Sequence, residues 1–109
     1  MLKKRNFEAF MYFLECYFCQ TFVWNELKQQ ADDFARSESK QRREQLKNEL
    51  TQLRQNSWYD IKYFMYKQTE RCPKNEKEFI HLVDTILNSL QEAAKSQNIL
   101  HRYNGQVHS

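Results

Sequence analysis

In this chain, two aromatic segments decide the fold: FEAFMYFLECYFCQTFVW, residues 7 to 24, and WYDIKYFMY, residues 58 to 66. Together they contain thirteen of the sixteen aromatic residues. Burial of an aromatic side chain stabilises a fold strongly, so two such segments separated by a polar one should pack together. We therefore expect the core to form between them, with the middle of the chain outside it.

The composition predicts an all-α protein. The chain has 109 residues but a single glycine and a single proline, which removes most of the turn chemistry that β-hairpins require. Abundant Glu, Lys, Gln, Leu and Arg favour helices. A hydrophobic content of 40% beside 28% charged residues is typical of a folded domain, which argues against global disorder. One helical domain over residues 1–109 is the expectation.

Helical spacing of apolar residues predicts a first helix from about residue 5 to 35. A helix continuing to residue 70 would be on the order of 100 Å long, so a break is needed. Ser37 or Ser39 can supply the N-cap after that break, which places a second helix over about 39 to 70.

The last helix has the clearest start signal. Pro73 ends the second helix because proline has no amide donor and restricts the residue before it. Asn75, followed three residues later by Glu78, forms a capping box for a third helix over about 76 to 97. Residues 98–109 are expected to form a loose tail.

A fold back near residue 37 would place the two aromatic segments opposite each other. The prediction is a three-helix antiparallel bundle in which two long helices form a projecting hairpin, with residues 24 to 50 as the arm and the shorter third helix beside the aromatic half. A break near Asn56 and Ser57 is the alternative, and it would give four shorter helices in a compact bundle.

The cysteines and the N-terminus bear on the compartment. Three cysteines, an odd number, do not form a disulfide framework, so a reducing cytoplasm is expected. The start of the chain imitates a signal peptide, but Glu8 and Glu15 interrupt its apolar run. The most apolar window, residues 9 to 24, is shorter than the roughly 20 residues of a spanning helix, so no membrane association is expected.

Cys16 and Cys19 form a Cys-x-x-Cys pair, the sharpest motif in the chain. A redox role needs a strand-to-helix context, whereas this pair lies inside an apolar helix. A zinc site needs two more ligands, and Cys72 and His81 are the candidates, but the predicted register leaves Cys72 on the order of 20 Å further along the second helix. The interpretation is buried or half-buried structural thiols, with zinc and redox roles as alternatives, and neither a metal nor a cofactor is predicted.

Catalytic patterns are weak throughout. His81 and Asp84 lie one helical turn apart, but no adjacent residue supplies a nucleophile. Asp32 and Asp33 are neighbours on a helix and point apart, so they do not form an acid–base dyad. Gly105 is the single glycine, which excludes a glycine-rich phosphate loop. We expect no catalytic residues and no enzymatic activity.

Basic residues concentrate in the middle of the chain, although the net charge is only +3. Between residues 36 and 57 there are six basic and three acidic side chains, and the interleaved glutamates neutralise part of the surface. Such a segment is either a solvated helix face or a contact for nucleic acid or an acidic protein. The candidate residues are Arg36, Lys40, Arg42, Arg43, Lys47 and Arg54.

The aromatic residues outnumber what three helices can bury. Tyrosine and tryptophan at a partly exposed surface favour protein interfaces, because they supply contact area at low entropic cost. The candidate partner-binding residues are Tyr12, Tyr17, Trp24, Trp58, Tyr59, Tyr63 and Tyr66.

These patterns favour a small non-enzymatic helical protein that binds another protein, as an adaptor, an inhibitor or a toxin-neutralising (immunity-type) protein. A homo-oligomer is one specific form of this hypothesis. The alternative is a nucleic-acid-binding regulatory protein that uses the basic 36–54 segment. Phosphate binding would weaken steeply with salt, whereas aromatic contacts would not, so salt dependence distinguishes the two.

Overall fold

The computed structural model describes residues 2–18, 24–69 and 72–107, with side chains up to residue 95. In these ranges the chain is all-helical and contains no strand, which confirms the predicted fold class. Short 3-10 turns, Lys4–Asn6 and Trp24–Glu26, precede the first two of five α-helices. The helices are α1 (Glu8–Cys16), α2 (Leu27–Ser37), α3 (Lys40–Arg54), α4 (Trp58–Thr69) and α5 (Glu76–Val107).

The prediction of three helices was wrong because both long helices are broken. The first ends at Cys16, and its second half is a separate helix, α2. The division allows α1 and α2 to pack against each other, with the ring centroids of Phe13 and Phe34 5.7 Å apart and those of Tyr17 and Phe34 5.2 Å apart. In one straight helix, Phe13 and Phe34 would be separated by roughly 30 Å.

The second predicted helix is interrupted between α3 and α4, near Asn56 and Ser57, where the four-helix alternative places a break. Asn56 donates from its side-chain amide to the carbonyl of Gln52 at 3.0 Å, and the Ser57 hydroxyl accepts the backbone N–H of Asp60 at 3.2 Å. These bonds supply partners for a backbone carbonyl at the end of α3 and for a backbone N–H at the start of α4, so the turn forms without glycine or proline.

Two predicted caps are present. The Ser39 hydroxyl accepts the backbone N–H of Arg42 at 3.2 Å and begins α3. At the start of α5, Asn75 accepts the N–H of Glu78 at 2.9 Å, and the Glu78 carboxylate accepts the N–H of Lys74 at 2.7 Å. The backbone of α5 is helical as far as Val107, through most of the segment for which the sequence predicts a loose tail.

The segment predicted to project as an arm is packed within the fold instead. α2 and α3 both lie against α5, with Lys28 and Glu92 3.7 Å apart and Arg54 and Asp84 2.6 Å apart. The apolar residues proposed to hold the arm together are fully buried, because α5 runs beside both helices. They are Leu27, Ala31, Phe34, Leu46 and Leu50.

The register of the aromatic segments also differs from the prediction. Phe7 and Phe64 do meet, with ring centroids 5.4 Å apart. Helix α1, however, lies against α3 instead of α4, and there Glu49 accepts the backbone N–H groups of Ala9 at 3.2 Å and Phe10 at 2.9 Å. Glu49 is buried and caps the first turn of α1 from a different helix.

One continuous apolar cluster includes buried side chains from all five helices. Within the described ranges, no helix combines the length with the apolar character that crossing a membrane requires.

Candidate functional site

Three tyrosines on α4 form an exposed row, which we call the tyrosine strip: Tyr59, Tyr63 and Tyr66. They are 79%, 59% and 63% exposed, and they are the large hydrophobic side chains found exposed in the described part of the chain. Their spacing of four and three residues places them on one face of the helix. The opposite face of α4, through Phe64 and Met65, is buried.

Charged side chains border the tyrosine strip. The Lys67 ammonium lies 5.9 Å from the centroid of the Tyr63 ring, at the limit of a cation–π contact. Asp60 and Lys62 are also exposed on α4. At 100° per residue, Asp60 and Lys67 lie on the same flank of the strip, and Lys62 lies on the other.

The other four predicted aromatic residues are half-buried against the core. The Trp24 ring lies 5.9 Å from those of Phe18 and His81, and the Trp58 ring lies 6.0 Å from Phe79. Tyr12 and Tyr17 pack edge-on against Phe34 in α2. The structure thus divides the seven candidates into the tyrosine strip and four residues at the edge of the core.

Tyr12 and Tyr17 both donate their phenol hydroxyls to Glu38 Oε2, at 3.1 and 2.5 Å. Arg42 lies 4.3 Å above the Tyr12 ring, with its Nε 3.5 Å from Glu38 Oε1. Burial, with the hydrogen bond to Glu38 as the next cause, raises the pKa of Tyr17 to about 12. The same carboxylate, through its hydrogen bond, raises the pKa of Tyr12.

Glu38→Gln should lower the pKa of both phenols, because the phenolates would no longer form beside a carboxylate. The pKa of Tyr17 should stay above its ordinary value of 10.0, since burial is its largest cause. The folded-state pKa of Tyr17 is raised, so its stabilising contribution is present below pH 10 and lost as the pH rises towards 12. The variant should lose less stability over that window.

Phenolate absorbance during an alkaline titration measures this effect, and unfolding experiments at each pH measure the stability. Glu44→Gln is the matched control, because Glu44 is exposed on α3 and makes no ion pair within the described ranges. Identical titration curves for Glu38→Gln and the wild type would contradict the assignment.

Four of the six basic residues predicted to bind a partner or nucleic acid form hydrogen bonds or ion pairs within the molecule. Arg43 is buried, and its guanidinium donates to the carbonyls of Ala35 at 3.2 Å and Glu38 at 2.9 Å, so it caps the end of α2. The other three form ion pairs: Arg36 with Asp33 at 2.8 Å, Arg42 with Glu38 at 3.5 Å, and Arg54 with Asp84 at 2.6 Å.

The remaining two, Lys40 and Lys47, are exposed and form no ion pair with a residue that the structure describes. They border a groove of about 580 Å³ between α3 and α5, whose apolar lining includes Leu87 and Leu90. The 36–54 segment therefore presents two separate lysines beside paired arginines instead of a continuous cationic surface.

The candidates for metal binding and catalysis do not come together. No group of three potential metal ligands occurs among the described residues. Cys16 is an exposed free thiol at the end of α1, so the expectation of a buried or half-buried thiol was wrong there, and Cys19 lies outside the described residues. Cys72 is half-buried. Asp84 pairs with Arg54, whereas the His81 ring contacts Trp24.

No family model matches this chain, and no curated protein or solved structure matches it either.

Proposed function

We propose that this chain is a small non-enzymatic helical protein that binds a protein partner through the tyrosine strip of α4. The observation that carries the proposal is the exposure of Tyr59, Tyr63 and Tyr66 along one face of a helix whose opposite face is buried. Contiguous exposed aromatic surface on a small domain is typical of an interaction site. Adaptor, inhibitor and toxin-neutralising roles, as well as self-association, would all use such a surface.

The mechanism is steric. Tyrosine rings lose few rotamers on binding and bury a large area, so they can anchor a partner while the protein blocks or bridges its surface. Asp60 and Lys67, which lie on one flank of the strip, would orient a partner surface that carries complementary charges. The odd number of cysteines, three, favours a reducing cytoplasm as the place of action.

The nucleic-acid alternative receives less support. Arg43 contributes to α2 capping, and Arg36, Arg42 and Arg54 each have a carboxylate partner. Phosphate binding would have to break those pairs or rely on Lys40 and Lys47. For this reason we place partner binding on α4.

Affinity capture with tagged protein tests the proposal. The bait is offered both an extract of the source cells and a second, differently tagged copy of the chain. Substitution of all three strip tyrosines by serine should abolish retention of the bound protein, whereas retention by the wild type should persist in about 0.5 M salt. A matched control replaces three exposed residues of α3, Gln41, Glu44 and Asn48, by serine.

Equal retention by the wild type, the tyrosine variant and the α3 variant would refute a docking role for the strip. Salt-sensitive retention of nucleic acid, lost on substitution of Lys40 and Lys47, would favour the alternative.

A further inference from the structure

Five of the six exposed side chains of α4 are arranged symmetrically about Tyr63, and Lys62 is the sixth. Tyr59 and Asp60 lie four and three residues before it, and Tyr66 and Lys67 lie three and four residues after it. Along a helix these offsets correspond to about 6 and 4.5 Å on each side. The aromatic residues are therefore balanced around Tyr63, and an acidic residue on one side is balanced by a basic residue on the other.

The opposite charges share one flank of the strip. Asp60 and Lys67 are seven residues apart, so their directions around the helix differ by only about 20°. A two-fold axis perpendicular to two antiparallel helices reverses the order along the helix but keeps each flank on its own side. The arrangement on α4 thus satisfies the condition for a self-complementary contact.

We infer that the partner of the tyrosine strip is the same strip of a second copy, packed antiparallel about a two-fold axis at Tyr63. This inference rests on the proposed function, because it names the occupant of the same surface. The two Tyr63 rings meet at the axis. Tyr59 of each copy lies level with Tyr66 of the other to within about 1.5 Å along the helix, and Asp60 lies equally level with Lys67.

The size of the contact makes the dimer weak. At about 200 Å² for a fully exposed ring, the three tyrosines offer on the order of 400 Å² per copy. A stable interface buries about 800 Å² per partner, about twice this area, so the dimer should form only at micromolar or higher protein concentrations. The ion pairs at the rim contribute mainly orientation.

On the other flank of the strip, Lys62 is the side chain that opposes dimerisation. Its copy lies about 3 Å away along the helix direction on the same side of the dimer, so two ammonium groups approach each other there. Both side chains are exposed and long enough to extend into solvent.

Charge reversal provides a test that a chance contact would not pass. Asp60→Lys would place lysines opposite lysines in its own homodimer, and Lys67→Asp would place aspartates opposite aspartates, so each variant alone should dimerise at least 10-fold more weakly. An equimolar mixture of the two restores both opposite-charge pairs and should dimerise as the wild type does. All of the altered positions are exposed, and circular dichroism checks that the variants fold.

Sedimentation velocity over about 1 to 300 µM measures the association. The wild type should move from 13.4 kDa towards twice that mass, and Tyr63→Ser should remain monomeric. A monomeric wild type at every concentration, or a mixture of the charge variants that does not associate, would overturn the inference.

The two proposals fail separately. If the wild type is monomeric but captures a different protein that the serine-substituted strip does not, the dimer is wrong and the docking role of the strip stands. If the wild type neither dimerises nor captures any protein through the strip, both are wrong.

Discussion

Glu49→Ala should lower the free energy of unfolding by about 2 to 4 kcal/mol, a large share of the roughly 5 to 15 kcal/mol that stabilises a small domain. The Glu49 carboxylate accepts the backbone N–H groups of Ala9 and Phe10 and the side-chain amide of Gln45, the last at 2.8 Å. Alanine would leave the N–H groups of Ala9 and Phe10 without an acceptor at a buried position and would remove the negative charge that complements the α1 dipole. Denaturant unfolding followed by circular dichroism measures the loss.

Glu44→Ala is the matched control, since Glu44 lies on the same helix but is exposed, and its effect should stay within about 0.5 kcal/mol. Glu49→Gln should fall between the two, because its amide oxygen can accept one of the N–H bonds while its amide nitrogen is a donor. If Glu49→Ala is as stable as the wild type, the buried carboxylate does not stabilise α1.

Local signals along the chain were sufficient to predict part of the fold. The caps at Ser39 and Asn75 depend on side chains three residues from the groups they bind; Asn75 was predicted, and Ser39 was one of two predicted candidates, with Ser37. The cap on α1 depends on Glu49, forty residues from Ala9, and sequence spacing contains no signal for that pairing. In the sequence, Glu49 resembled one more acidic residue among the basic ones.

The break between α1 and α2 could not be predicted for a related reason. The residues from 17 to 26 include neither glycine nor proline, and their apolar spacing continues that of the preceding helix. What favours two helices is the contact of Phe13 and Tyr17 with Phe34, which exists only after the chain has folded back. Tertiary packing overrides helix propensity in such a case.

Exposure divided the candidate site residues in a way that residue type could not. Tyr12 and Tyr63 are the same residue in similar aromatic surroundings along the chain. In the structure Tyr12 contacts Glu38 and Phe34 because α1 lies beside the α2–α3 corner, whereas Tyr63 extends outward from α4. The sequence predicted that some rings would remain outside the core. It did not predict that these rings would be those of α4, a helix that exists separately because of the break near Ser57.

Phe34→Ala is expected to cause the largest loss of stability, about 3 to 5 kcal/mol. Phe34 is fully buried, and its ring lies 6.3, 5.7 and 5.2 Å from those of Tyr12, Phe13 and Tyr17, edge-on in each case. Alanine would remove these three contacts together and leave a cavity between α1 and α2 that the helices can only partly close. The same denaturant unfolding experiment measures the change.

Phe34→Leu separates the loss of volume from the loss of ring contacts. Leucine fills most of the cavity but has no edge for the neighbouring rings, so its cost should be well below that of alanine. In the folded fraction of Phe34→Ala, water entering beside Tyr17 should also lower the pKa of that phenol, since burial is the main reason for its value of about 12. A Phe34→Ala protein with wild-type stability and an unchanged Tyr17 titration would mean that α1 does not pack on α2 as described.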